Sequence, residues 1–163
     1  LVCTKEGGMR KTKKADNGMV LAIDPGTTQS AYVIFNSNNK EITAKGIEPN
    51  ENLIPIIRNT DFDGLTAIEM IASYGMPVGK EVFETCLWIG RYYQTADDMG
   101  HELRLVYRKD VKMYLCNSVK AKDANIRQAL IDMLGKDVTK GVSKDVWAAL
   151  AVAVTVSRIE DGG

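Results

Sequence analysis

Three carboxylates stand where a chain rarely places them. Asp24 closes the apolar run Met19-Val20-Leu21-Ala22-Ile23, Glu69 sits between Ala67-Ile68 and Met70-Ile71, and Asp145 leads into Val146-Trp147-Ala148-Ala149-Leu150-Ala151-Val152-Ala153-Val154. A carboxylate on an apolar segment is costly to bury unless it is paired or bound to a cation. If the strands carrying Asp24 and Glu69 are neighbours, the two acids converge, and Asp145 can approach from a covering helix. Such a cluster repels itself at neutral pH unless a divalent cation neutralises it. Mg²⁺, with Mn²⁺ as a substitute, suits all-oxygen ligands and keeps positions open for water and phosphate. Taken singly, each acid also has an ordinary reading: Asp24 as a turn residue before Pro25, Glu69 as an exposed strand-end charge, Asp145 as a partner of a helix N-terminal dipole.

The elements that must position these groups follow from periodicity and turn chemistry. Met19 to Ile23 reads as a buried strand, stopped by Asp24-Pro25-Gly26-Thr27-Thr28; Ala31 to Phe35 and Glu41 to Ile47 are two more, giving a three-strand antiparallel meander. Glu51 to Arg58 reads as a short helix, with Pro55 the one residue that weighs against it beyond the first turn. Leu65 to Ile71 is a fourth strand, Ser73 to Gly79 a Gly/Pro-rich loop, and Lys80 to Asp98 a helix with Val82, Cys86, Ile89 and Tyr93 on its core face. Leu103 to Tyr107 is a fifth strand. Lys109 to Leu115 is a short helix, Ala121 to Leu134 a longer one ending at Gly135, and Lys144 to Arg158 a last helix with Ser143 as N-cap. The order βββ-α-β-α-β-α predicts an α/β fold: a five-stranded mixed sheet flanked by helices, in one domain over residues 19–163. Residues 1–18, polar with a basic cluster at Arg10 to Lys14, are expected to be a flexible or vector-derived arm.

Composition narrows the function classes. Lys plus Arg and Asp plus Glu both total 21 in 163 residues, so any nucleic-acid contact must come from a local patch. Arg104 to Arg127 supplies one, with seven basic residues (Arg104, Arg108, Lys109, Lys112, Lys120, Lys122 and Arg127) against Asp110 and Asp123; an ordinary solvated helix surface is the alternative. Cys3, Cys86, Cys116 and the single histidine, His101, are too scattered for a structural zinc site or a disulfide framework, and a reducing cytoplasm is the expected compartment. The apolar run Val146 to Val156 is too short to span a bilayer. No Walker A pattern occurs.

With these residues in place, a family resemblance appears. Leu21-Ala22-Ile23-Asp24-Pro25-Gly26 followed by Ala31-Tyr32-Val33-Ile34 resembles the first catalytic strand of RuvC-type Holliday-junction resolvases, within the ribonuclease H-like superfamily. Ala67-Ile68-Glu69 resembles their second acidic motif, Gly90-Arg91 a Gly/Arg step in their central helix, and Val111-Lys112 with Lys120-Ala121-Lys122 their basic segment. Asp145 with Ala149 to Ala153 resembles their C-terminal acidic helix. The matches keep family order from Met19 to Val156, and the variant loops are similar to those of the phage-type branch.

The resemblance implies a homodimer that resolves four-way DNA junctions by paired nicks in recombination and repair, in the cytoplasm of a bacterium or a phage-infected host. It implies two Mg²⁺ ions per active site (Mn²⁺ substituting), with Asp24 bridging them, Glu69 on one and Asp145 completing the set. Lys112 and Lys122 fall at basic catalytic positions that contact the cleaved backbone or stabilise its charge; Arg91, Arg108, Lys109 and Lys120 are further expected DNA contacts, and Lys80, at the start of its helix, either meets a phosphate or simply ends the loop. Two departures stand out. The last motif's second acid is replaced by Ala148, so that Asp145 suffices, another acid such as Glu84 or Asp137 compensates, or metal binding is weakened. The junction-wedging aromatic has no match at Ala72; Tyr74, two residues on, either stacks on a base or is a structural loop tyrosine. A branched-DNA-binding protein without catalysis is the alternative function. The run Asp24 to Thr28 is also similar to the phosphate loop of actin-like ATPases and sugar kinases, but those pair two such domains, so no nucleotide cofactor is expected. The helix Lys80 to Asp98, with Phe83, Leu87 and Trp88, is the expected dimer face, with a core role for those three as the alternative.

Overall fold

A computed structural model of the chain describes residues 18–60 and 63–157; the expected arm, Gly18 apart, and Arg158 lie outside the described residues. Among the described residues eleven elements follow one another: β1 (Met19–Asp24), β2 (Gln29–Asn36), β3 (Glu41–Pro49), α1 (Asn50–Asn59), β4 (Leu65–Met70), α2 (Lys80–Asp98), β5 (Glu102–Tyr107), α3 (Arg108–Cys116), α4 (Asp123–Leu134), α5 (Lys136–Thr139) and α6 (Val146–Ser157). The sheet order is β3-β2-β1-β4-β5; β1, β2 and β3 form the antiparallel meander, and β4 and β5 run parallel to β1. This is the expected five-stranded mixed sheet.

Alternation along the central strands divides the core in two. Leu21 and Ile23 of β1 and Ile68 of β4 point to one face, where α1 and α2 bring Leu53, Ile57, Ile89, Tyr92 and Ala96. Ala22 and Ala67 point to the other, against α6 and the α3–α4 pair. Small residues there let α6 lie close on the sheet, and the helix is apolar all round because it is covered all round, from Ala149 to Val154. Each fully buried side chain such as Leu150 or Leu130 contributes roughly 1.5–3 kcal/mol. In α4, Ile126, Leu130 and Leu134 form the expected stripe, and the chain leaves the helix at Gly135, whose φ of 91° suits glycine.

The expected helix from Glu51 to Arg58 is present in full, and two other expectations are corrected. Helix α1 runs straight through Pro55; the carbonyl left without a donor is that of exposed Glu51, which water can satisfy, while fully buried Leu53 and Ile57 hold the flanking turns. On α2 the buried stripe is Thr85, Ile89, Tyr92 and Ala96, and Tyr93 is exposed; two adjacent tyrosines lie about 100° apart on a helix, and Tyr92 is the one whose hydroxyl finds a buried partner. The last helix begins at Val146 rather than Lys144, because Lys144 has a φ of 51°, outside the helical region. The N-cap position accordingly belongs to Asp145, whose carbonyl accepts from the N–H groups of Ala148 and Ala149 (3.0 and 3.2 Å), rather than to Ser143.

Candidate active site

Register places the first two acids side by side. β1 and β4 pair in parallel with Val20 opposite Leu65 and Ile23 opposite Ile68. One residue on, Asp24 and Glu69 leave the C-terminal ends of adjacent strands, both turned to the face that carries Ala22, Ala67 and α6. In open sheets this end of the parallel strands is where ligands enter. Asp145 arrives on the same side from the N-terminus of α6.

The turn behind Asp24 is pinned by a buried polar network. Ser30 Oγ donates to Asn50 Oδ1 (2.6 Å) and meets the Tyr92 hydroxyl (2.9 Å), while Gly26 N–H reaches Ser30 Oγ (3.3 Å). Asn50 Nδ2 donates to Gly26 C=O (2.9 Å), and its backbone N–H to Thr28 C=O (3.0 Å). Residues from β2, α1 and α2 thus fix the backbone that aims Asp24. Gly26 is required by close approach: a Cβ there would lie 2.3 Å from Gln29 C=O. Burial pushes the Tyr92 hydroxyl up to about 12, so it stays a neutral member of the network.

Asp24, Glu69 and Asp145 line a cavity of about 540 Å³, together with Tyr74, Arg108 and Ala148. Desolvation raises the Asp24 carboxyl from its ordinary 3.8 to about 9, helped by a hydrogen bond to Glu69 and by the negative charges of Glu69 and Asp145, and opposed by Arg108. A strongly perturbed acid in a cleft is a candidate functional group. Arg108 Nη1 stands 3.7 Å from Glu69 Oε1, and its Nη2 is bonded to Asp123 Oδ1.

The donor chemistry fits a hard divalent cation: two adjacent carboxylates at an open cavity, oxygen donors only, with a proton on Asp24 doing the neutralising that a cation would do. Among the described residues, no three His, Cys, Asp or Glu side chains close around one point; Asp145, exposed at the mouth, acts on Asp24 through its charge. Ala148 lines the cavity one helical turn beyond Asp145, the position where the RuvC pattern has its other acid. Neither Glu84, paired with Lys80 on α2 (3.4 Å), nor Asp137 on α5 reaches the cavity.

Of the basic residues expected to contact DNA, Arg108 alone lines the cavity. Lys112 is half-buried on α3, and Lys109, Lys120 and Lys122 are exposed on α3 and on the turn leading to α4. Asn125 Oδ1 accepts from Lys122 N–H (2.9 Å), which fixes the start of α4. Lys80 and Arg91 lie on α2, the layer across the sheet from α6, and Arg91 stacks over Trp88 at 4.2 Å. Tyr74 is 66% exposed at a loop tip, with a φ of 49° followed by Gly75 at 78°. Phe83 and Leu87 are exposed on α2, whereas Trp88 packs partly into the core.

Sequence reasoning missed Asp123, Arg127 and Lys144 as cavity residues. In sequence Asp123 and Arg127 read only as charges in a patch. Their signal was helical spacing: four apart on α4, they flank Ile126, which also lines the cavity. Lys144 is carried in by its left-handed backbone, which no local pattern announces.

No family model matches the chain, and no curated protein does. Solved structures do. The chain is similar to the Thermus thermophilus RuvC structure (TM-score 0.66, 17% identity, 84% of this chain and 92% of that one). It is equally similar to T. thermophilus RuvC in complex with Holliday junction substrate (TM-score 0.66, 16% identity, 84% and 91%). A third is the yeast mitochondrial Holliday junction resolvase Ydc2 (TM-score 0.61, 12% identity, 88% and 80%). These likenesses establish the fold, a ribonuclease H-like sheet in the RuvC arrangement.

Proposed function

We propose, from that shared fold and the acids it aligns, that the chain is a metal-dependent endonuclease resolving four-way DNA junctions by paired nicks. The observation that carries the reading is the in-register Asp24–Glu69 pair at the open ends of two parallel strands, beside Asp145. Asp24 and Glu69 would hold Mg²⁺ or Mn²⁺, with Asp145 extending the set toward a second ion. When bound, such ions polarise a phosphodiester and make water nucleophilic at neutral pH, the chemistry of in-line hydrolysis.

The chain's own residues do the rest. Arg108, Arg127 and Lys144 line the cavity and offer positive charge to a backbone phosphate. Lys109, Lys112, Lys120 and Lys122 extend that charge over α3 and the approach to α4, and orient the duplex arms without reading sequence. Tyr74 presents its ring beside the acids, where an unstacked base at a branch point would lie. Lys80 and Arg91, on the other layer, reach DNA only along a flanking arm. A two-fold homodimer supplies the second site that paired nicks require, and the exposed Phe83 and Leu87 suit its interface.

One observation favours a second reading, a branched-DNA-binding protein without cleavage: Ala148 lines the cavity where an acid would complete the metal set. A supercoiled plasmid carrying an extruded cruciform separates the two. The resolvase linearises it with Mg²⁺ or Mn²⁺ and leaves it intact in EDTA, and Asp24→Asn abolishes cutting. Cruciform binding without cutting at any metal concentration would select the second reading; cutting retained by Asp24→Asn would sink the metal-site assignment.

A further inference from the structure

Arg108 is placed between two acids of unlike surroundings. As the first residue of α3, directly after β5, it lies beside the end of β4, because Met70 pairs with Tyr107. One arm of its guanidinium faces Glu69, whose side chain is only 13% exposed; the other binds Asp123, 80% exposed at the start of α4. Glu69 is also the neighbour of Asp24. The carboxylate pair therefore already has a cation of its own, and a second positive charge on Glu69 would have to sit beside a guanidinium whose Nη1 is 3.7 Å from Glu69 Oε1.

We propose that Arg108 is a built-in competitor for the divalent cation: it holds Glu69 while the site is empty of metal, and a cation displaces it onto Asp123. The fork of the guanidinium makes this possible, since one arm can leave Glu69 while the other keeps its bond. Asp123 is the resting place, and its exposure makes that arrangement inexpensive in desolvation. Arg108 and Asp123 are positioning residues here, acting on metal through Glu69. The proposal rests on the reading of Glu69 as a metal-holding residue.

The test is Mn²⁺ binding without DNA, by calorimetry and by the electron paramagnetic resonance signal of free Mn²⁺. Arg108→Gln removes the competitor and should bind Mn²⁺ about tenfold more tightly than the parent, the effect of one partly screened charge at this distance. Arg108→Lys, which keeps the charge but loses the fork, should not gain that affinity. Asp123→Asn removes the resting place and should weaken Mn²⁺ binding, and this weakening should vanish when Arg108→Gln is also present. Equal or weaker binding by Arg108→Gln overturns the proposal, as does an Asp123→Asn effect that survives in the double variant, since Asp123 would then act by its own charge. Asp24→Asn is the control for the reading beneath: Mn²⁺ binding insensitive to it in every variant would overturn the metal site itself, whereas Asp24-dependent binding that ignores Arg108 removes only the competition.

Discussion

Asp24→Asn should make the metal-free protein more stable, and more so as pH rises. The Asp24 carboxyl is raised from 3.8 to about 9, first by burial and then by Glu69 and Asp145. Below pH 3.8 both folded and unfolded chains carry this proton, and the carboxyl costs nothing. From there to about pH 9 the unfolded chain has released a proton that the folded chain retains, so this group's contribution to stability falls with rising pH across that window. At pH 7, roughly three pH units above 3.8 at 1.36 kcal/mol each give a ceiling of about 4 kcal/mol. Water in the open cavity reduces this, and about 1–2 kcal/mol is the expected gain. The substituted amide neither titrates nor repels Glu69. Urea unfolding of both proteins in EDTA at pH 4.5, 7 and 8.5 should show a gap in favour of the variant that widens with pH. Added Mg²⁺ should then stabilise the parent and leave the variant unmoved, because only the parent binds it. A variant no more stable than the parent at pH 8.5 in EDTA, or a gap that narrows with pH, would refute the reasoning.

Other perturbations probe how the site is held. Gly26→Ala drives a Cβ to 2.3 Å from Gln29 C=O and should cost about 2–4 kcal/mol in a denaturant melt, with loss of Mn²⁺ affinity as the turn shifts. Asn50→Ala removes the acceptor for Ser30 Oγ and the donor to Gly26 C=O, both inside the fold; a loss of about 2–3 kcal/mol is expected, and a loss below about 0.5 kcal/mol would show that water replaces the network. Tyr74→Ala should leave the melting temperature unchanged, because the side chain is exposed, while weakening four-way-junction binding by about 1–3 kcal/mol in a gel-shift titration and sparing linear duplex.

Much of this fold is legible because its local signals agree. The unbroken apolar runs of β1 and β4 declare central strands, the turn at Asp24 to Thr28 ends one where it must, and the Ile126–Leu130–Leu134 stripe with Gly135 bounds α4 at its C-terminus. Asp24 and Glu69 were readable as a pair for the same reason: strand ends announce themselves, and parallel register does the rest. What escaped was set by tertiary contacts. Which of Tyr92 and Tyr93 turns inward depends on Ser30, 62 residues from Tyr92. In sequence Asp123 is one charge among many; its bond to Arg108, 15 residues earlier, exists only in the fold. The late start of α6 hangs on the left-handed Lys144, which sequence periodicity does not record.

The central claim is most directly tested by end-labelling each strand of a synthetic four-way junction, beside linear duplex of the same sequence, and mapping cuts with Mg²⁺, Mn²⁺ or EDTA. Nicks are predicted at symmetry-related positions on two opposing strands of the junction, dependent on the cation and absent from the duplex. Tight junction binding with every strand intact, at any cation concentration, would contradict the claim.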